Sequence, residues 1–120
     1  MFLNCSNHTC NNWSELQLNL AKQWGEVVDY PFPQVFATAD ENEVEKYAEE
    51  VVKDMLSLQP SAVMCQGEFT LTYAIIKKLK KCGIKVLAAC SERNVQERVM
   101  EDGSIQKHIV FQFVRFREYV

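Results

Sequence analysis

A chain of 120 residues, 48% apolar and 24% charged, can bury the core of one domain without disulfide or metal staples. Its net charge of −3 provides no broad basic field, which excludes nonspecific binding to long nucleic acid or an anionic membrane surface. No run approaches the ~18 apolar residues of a membrane span, and the opening "MFLNCSNHTC" has no signal-peptide charge pattern, so a cytoplasmic chain is expected.

The elements alternate. "FLNCS" (2–6) predicts a first strand. Asn12, with Glu15 three residues on, resembles a capping box, and Trp13, Leu16, Leu20, Ala21 and Trp24 follow at helical spacing until Gly25. "EVVDY" (26–30) predicts a second strand, stopped by Pro31 and Pro33. Asp40 with Glu43 opens a second helix, whose apolar stripe is Val44, Tyr47, Ala48, Val51, Val52 and Met55. "SAVMC" (61–65) is the third strand, and the third helix runs from about Thr70 to Cys82, closed by Gly83. "IKVLAAC" (84–90) reads as a strand buried on both faces. Beyond it, Asp102-Gly103 signals a hairpin between "VQERVM" and "SIQKHIVFQFVRF", with Ile109, Phe111 and Phe113 on one face.

This order predicts an α/β fold over residues 1–120. It would be a small Rossmann-like, doubly wound parallel sheet of order 2-1-3-4, with a C-terminal β-hairpin extending or covering one edge. In such sheets ligands bind beyond the carboxyl ends of the strands, where the strand order reverses. Three strand ends deliver polar groups to that place: Asn4, Ser6, Asn7 and His8; then Gln66, Gly67 and Glu68; then Ser91, Glu92 and Arg93. Gly67 would let a ligand approach the backbone, and the helix starting near Thr70 offers free N–H groups to an anion. Against that, the Glu68 carboxylate would repel phosphate or satisfy those N–H groups itself, and "QGEFT" also reads as a tight turn with Thr70 as N-cap.

His8 suits proton transfer near neutral pH. Ser6 is a candidate phosphate ligand or nucleophile, although no GxSxG frame accompanies it. Arg93 suits a phosphate clamp, or else a salt bridge to Glu92, Glu97 or Glu68. Lys77, Lys78, Lys80 and Lys81 complement the dipole at the end of the third helix and read as a solvated face. The five cysteines lack CxxC spacing. Cys5, Cys65 and Cys90, near strand ends, read as small buried apolar residues before they read as a metal or redox site. Neither GxGxxG, GxxxxGK[ST] nor HExxH occurs, so no metal and no cofactor is expected.

The "NCSNH" segment and the compact layout resemble the small CRISPR-associated proteins related to CARF domains, ring nucleases among them. That resemblance implies a homodimer binding a cyclic oligoadenylate, with Ser6, His8 and Arg93 against a ribose-phosphate ligand. In a metal-independent ring nuclease the ribose 2′-hydroxyl attacks the adjacent phosphate while the protein positions and stabilises charge. Several relatives carry adjacent Ser and His; here Asn7 separates them.

The leading expectation is a nucleotide-binding domain that senses or cleaves such a ligand. The alternative is a noncatalytic dimerisation or adaptor module built on the aromatic last strand, whose apolar face could instead cover the third helix. A small-molecule enzyme using Cys65 or Glu68 is a third reading.

Overall fold

The computed structural model describes all 120 residues. Its strands are β1 (Phe2–Cys5), β2 (Val27–Asp29), β3 (Ala62–Cys65), β4 (Lys85–Val99) and β5 (Ile105–Glu118); its helices are α1 (Glu15–Ala21), α2 (Glu41–Ser57) and α3 (Phe69–Lys81). They form one sheet of order β2-β1-β3-β4-β5, parallel up to β4 and antiparallel between β4 and β5. The doubly wound parallel Rossmann-like sheet is corrected by this mixed architecture, which curls into a half-barrel.

The reason lies in the last two strands. The parallel strands β1 and β3 span four residues each and β2 three, whereas β4 and β5 span 15 and 14. Twist accumulates along so long a ribbon, and a register shift at Cys90/Ser91 adds a local bend. That bulge also resets which side chains point where. Phe113 and Phe116 are three residues apart, yet both are buried in the same cluster, their rings 4.9 Å apart.

Two cores flank the sheet. On one face α2 and α3 bury Ala48, Val51, Val52, Met55, Leu71, Ile75 and Leu79 against Leu3, Val63 and Val86. On the other, only the seven-residue α1 and short 3-10 turns provide cover, and aromatic rings fill the space: Phe2, Phe113 and Phe116 pack with Trp13 and Trp24.

Helix α2 follows from its sequence. Asp40 caps it, its carboxylate accepting from Glu43 N–H at 2.9 Å. Helix α1 starts two residues later than the capping-box reading: Ser14 is its cap, at 3.2 Å from Gln17 N–H, while Asn12 lies in a 3-10 turn and donates to Thr9 Oγ1. Past Ser91, β4 and β5 leave the body as a two-stranded arm closed at Gly103, whose φ of 84° needs a glycine. The arm gives the chain a radius of gyration of 17.3 Å, against about 14 Å for a compact domain of this length. No helix is long and apolar enough to cross a membrane.

Candidate functional site

Beyond the carboxyl ends of β1 and β3, beside Ala89 and Ser91 in the middle of β4 and on the α1 face, lies a cleft of about 630 Å³. Its lining is Ser6, Asn7, His8, Asn12, Trp13, Gln17, Met64, Gln66, Gly67, Ala89, Ser91 and Phe111. Of the residues singled out in the sequence, Ser6, Asn7, His8, Gln66, Gly67 and Ser91 meet here. Glu68, Thr70 and Arg93 are not in the lining.

The β1 end is a closed hydrogen-bond knot. Asn4 Nδ2 donates to the His8 carbonyl at 2.7 Å and to Asp29 Oδ1 at 2.8 Å. The Ser6 hydroxyl donates to Asn4 Oδ1 at 2.7 Å and accepts from His8 N–H at 3.2 Å. Asp29 also accepts from Cys10 N–H at 3.0 Å and from the Cys10 thiol. Burial and the Asp29 charge push the Cys10 thiol above its usual pKa. Ser6 is therefore joined to the backbone of His8 and not to its imidazole, so the two form no Ser–His dyad. The knot fixes the loop and leaves the exposed His8 ring free at the cleft wall.

Gln66 bridges the gap left where β3–β4 pairing ends at Met64 and Leu87. Its Oε1 accepts from Ala89 N–H at 2.7 Å. A backbone N–H can only donate, so the carbonyl end of Gln66 faces Ala89 and its NH2 is left for the cleft. The glycine at 67 serves packing first. A Cβ there would lie 2.4 Å from the Phe32 ring, and Gly67 is not among the positive-φ residues.

Glu68 and Thr70 belong to the helix. The two Glu68 oxygens accept from Thr70 N–H at 3.0 Å and Leu71 N–H at 2.8 Å, and the Thr70 hydroxyl joins them. Glu68, not Thr70, is the N-cap of α3. The bonds from Leu71 and Thr70 N–H hold its carboxyl below the usual carboxylate range. The free helix end expected to hold an anion is thus already filled by a side chain. Arg93 is exposed, forms no ion pair with Glu92, Glu97 or Glu68, and stands directly across from Phe111 on the arm.

Cys5 and Cys65 are paired across β1 and β3 and fully buried. A hydrogen bond with Cys5, then burial, drives the Cys65 thiol far above its usual range, which removes it as a nucleophile. No group of three or more His, Cys, Asp or Glu side chains is placed to hold a metal.

Six lining residues were not anticipated: Asn12, Trp13, Gln17, Met64, Ala89 and Phe111. Gln17 takes the inward place that the stripe of Trp13, Leu16, Leu20, Ala21 and Trp24 gives to Leu16, which is itself exposed. The residue is 8% exposed; its backbone N–H donates to Ser14 Oγ, while its side-chain amide makes no hydrogen bond within the protein and keeps some contact with solvent. Phe111 had no local signal, since only the arm's course brings it to the cleft.

The lining carries no Lys, Arg, Asp or Glu. It presents carboxamides, two hydroxyls, one imidazole and two aromatic rings, a set that suits a flat polar ligand better than a bare anion. No curated protein matches the chain. The family model described as "Uncharacterized protein MJ1673 family" matches residues 1–117, and the chain belongs to that family.

Proposed function

We propose that this protein is a nucleotide-binding domain whose ligand lies in the cleft between Trp13 and Phe111. The observation that carries this reading is Gln17: the residue is buried apart from its place in the cleft wall, and its side-chain amide has no partner in its own chain and stays open to the cleft. An amide held open in a cleft wall offers a ligand both donors and an acceptor. Side-chain amides pair with the edges of nucleobases, adenine above all, and aromatic rings stack on their faces. The volume lies within the range of small-ligand sites, about 300–1,000 Å³.

In this reading Gln17, Gln66 and Asn7 hold base and ribose, and the phosphates sit at the mouth, on the Arg93 side. Ser6 and Gly67 shape the wall, and Ser91 offers a hydroxyl. The resemblance to CARF-related proteins makes a cyclic oligoadenylate the first ligand to test. If the ligand is cleaved, the ribose 2′-hydroxyl attacks the adjacent phosphate, the bond to the 5′-oxygen of the next nucleotide breaks to leave a 2′,3′-cyclic phosphate, and His8, the one titratable side chain in the lining, moves the proton. The protein works in the cytoplasm as a homodimer, with the apolar face of the arm between copies. An adaptor that binds no ligand is the second reading, favoured by the arm itself.

Calorimetric titration of the full chain with cyclic oligoadenylates, AMP and ATP tests the first reading. Gln17→Met should weaken binding by roughly tenfold to a hundredfold, the loss of one or two hydrogen bonds, while leaving the fold as stable or more so. His8→Ala should keep affinity and slow any cleavage by about a hundredfold or more. If no nucleotide gives heat, the cleft does not bind nucleotides and the adaptor reading stands.

A further inference from the structure

Alternate rungs of the β4–β5 arm share a face, and on one face they read Ser91–Phe113, Arg93–Phe111, Val95–Ile109, Glu97–Lys107 and Val99–Ile105. The five apolar side chains beyond Phe113 on this face, from Phe111 to Ile105, are each between 52% and 73% exposed. The opposite face carries Glu92, Asn94, Gln96, Arg98, Gln106, His108 and Gln112, with Val110 as its one apolar residue. A free two-stranded ribbon is marginal in water, and an apolar stripe of this length marks a contact surface. The stripe is continuous with the cleft, because Phe113 is in the aromatic core beneath α1 while Phe111 and Ser91 line the cleft wall.

The charges on the stripe select its occupant. We propose that two copies pair arm on arm, face to face and antiparallel, about a two-fold axis through the Val95–Ile109 rung. Each rung then meets the rung equally far on the other side of the axis. Glu97, which lies 3.9 Å from Lys107 Nζ across its own arm, also faces the partner's Arg93, which has no ion pair in its own chain. Lys107 faces the partner's Phe111 ring, a cation–π contact. Val99 and Ile105, near the arm tip, cover the partner's Ser91–Phe113 rung at the mouth of its cleft. An axis one rung further out would set Glu97 on Glu97 and Lys107 on Lys107. An axis one rung further in would set Arg93 on Arg93. The Val95–Ile109 centre is the one that pairs unlike charges.

Area points the same way. A ribbon ~30 Å long and two strands wide falls short of the ~800 Å² per partner of a stable interface unless the cleft rim joins it. This register brings the rim in, so each cleft is finished by the arm tip of the other copy. The pairing deepens the proposed homodimer and rests on it, but it does not depend on which ligand the cleft holds.

Sedimentation velocity of the full chain without nucleotide, across the micromolar range, tests it. The wild type should shift from monomer to dimer. Arg93→Glu or Glu97→Arg alone should weaken association about tenfold or more, because each places like charges together twice in the dimer. The double variant Arg93→Glu/Glu97→Arg should restore it, since the swap leaves unlike charges facing. Both sites are exposed on the arm, so the body folds regardless. A dimer indifferent to both reversals, or unrescued by the swap, overturns the register while the homodimer stands. A monomer throughout overturns both and leaves nucleotide binding to be judged by its own titration.

Discussion

Gly67 faces the cleft on one side and the Phe32 ring on the other, and the two neighbours make different demands. The ring is held close because Phe32 N–H donates to the Ser6 carbonyl at 3.3 Å, which ties the Pro31–Pro33 segment to the end of β1. Gly67→Ala should therefore destabilise the fold by about 1–3 kcal/mol, the usual penalty of overpacking. In a Phe32→Ala background the same substitution should cost far less, as denaturant melts of the four proteins would read in a double-mutant cycle. Equal costs in both backgrounds would mean that the ring is not the obstacle. A glycine in a polar tripeptide after a strand reads from sequence as a ligand-approach residue. Its actual neighbour, 35 residues back in the chain, is set by the tertiary fold and leaves no local trace. Ser6 is similar: its place near a cleft was legible, but its bond to the backbone of His8 depends on Asn4 and Asp29 meeting across two strands. Gln17 is similar again, since helical spacing assigns the inward place to Leu16 and only the short course of α1 turns Gln17 inward instead.

At the scale of elements, local signals carried furthest where the element is self-contained. Helix α2 opens at Asp40, with its buried Ala48, Val51, Val52 and Met55 at helical spacing, because cap and stripe lie within one short segment. Helix α3 needs a different cap from the one its sequence suggests: Glu68 reaches both Thr70 and Leu71 N–H, and Thr70 is drawn inside the helix. The consequence is a pH dependence with a definite sign. The carboxyl of Glu68 titrates below its unfolded value of about 4.3, so its contribution is complete above that pH and fades as pH falls through the lowered folded value. Melting temperatures of the wild type and Glu68→Gln should differ by a constant amount near neutrality. The gap should close on acidification through the carboxylate range. A gap that stays open in acid would assign the difference to shape and not to charge. Strand β4 was the least legible element. Its apolar run ends at Cys90, and from there to its end only Val95 and Val99 are apolar, which is a poor strand signal. The pattern makes sense only on a ribbon whose polar face meets water and whose other face alternates apolar with charged rungs.

The whole molecule divides into a packed body and an arm that the body does not need. No residue from Cys90 to Gln112 belongs to either core cluster, and the partly buried residues packed against those clusters also lie outside that stretch. The body is closed instead by the last residues of β5 and those after it. Tyr119 donates its hydroxyl to the Cys65 carbonyl at 2.9 Å, and its own carbonyl accepts from Lys80 Nζ at 2.8 Å. The arm is thus held at its base by Phe113 and Phe116, and its outer half adds surface without adding core. Replacing residues 95–109 by Asn-Gly, a two-residue turn suited to joining Asn94 to Val110, removes that half and keeps Arg93 and Phe111. The shortened chain should melt within a few degrees of the wild-type monomer, because the deleted rungs contribute only a marginal hairpin. It should also stay monomeric where the full chain pairs, and its hydrodynamic radius should fall toward that of a compact domain. A large loss of thermal stability in the monomeric shortened chain would mean that the arm stabilises the body. The curl of the sheet would then be a product of the ribbon as a whole and not of its base.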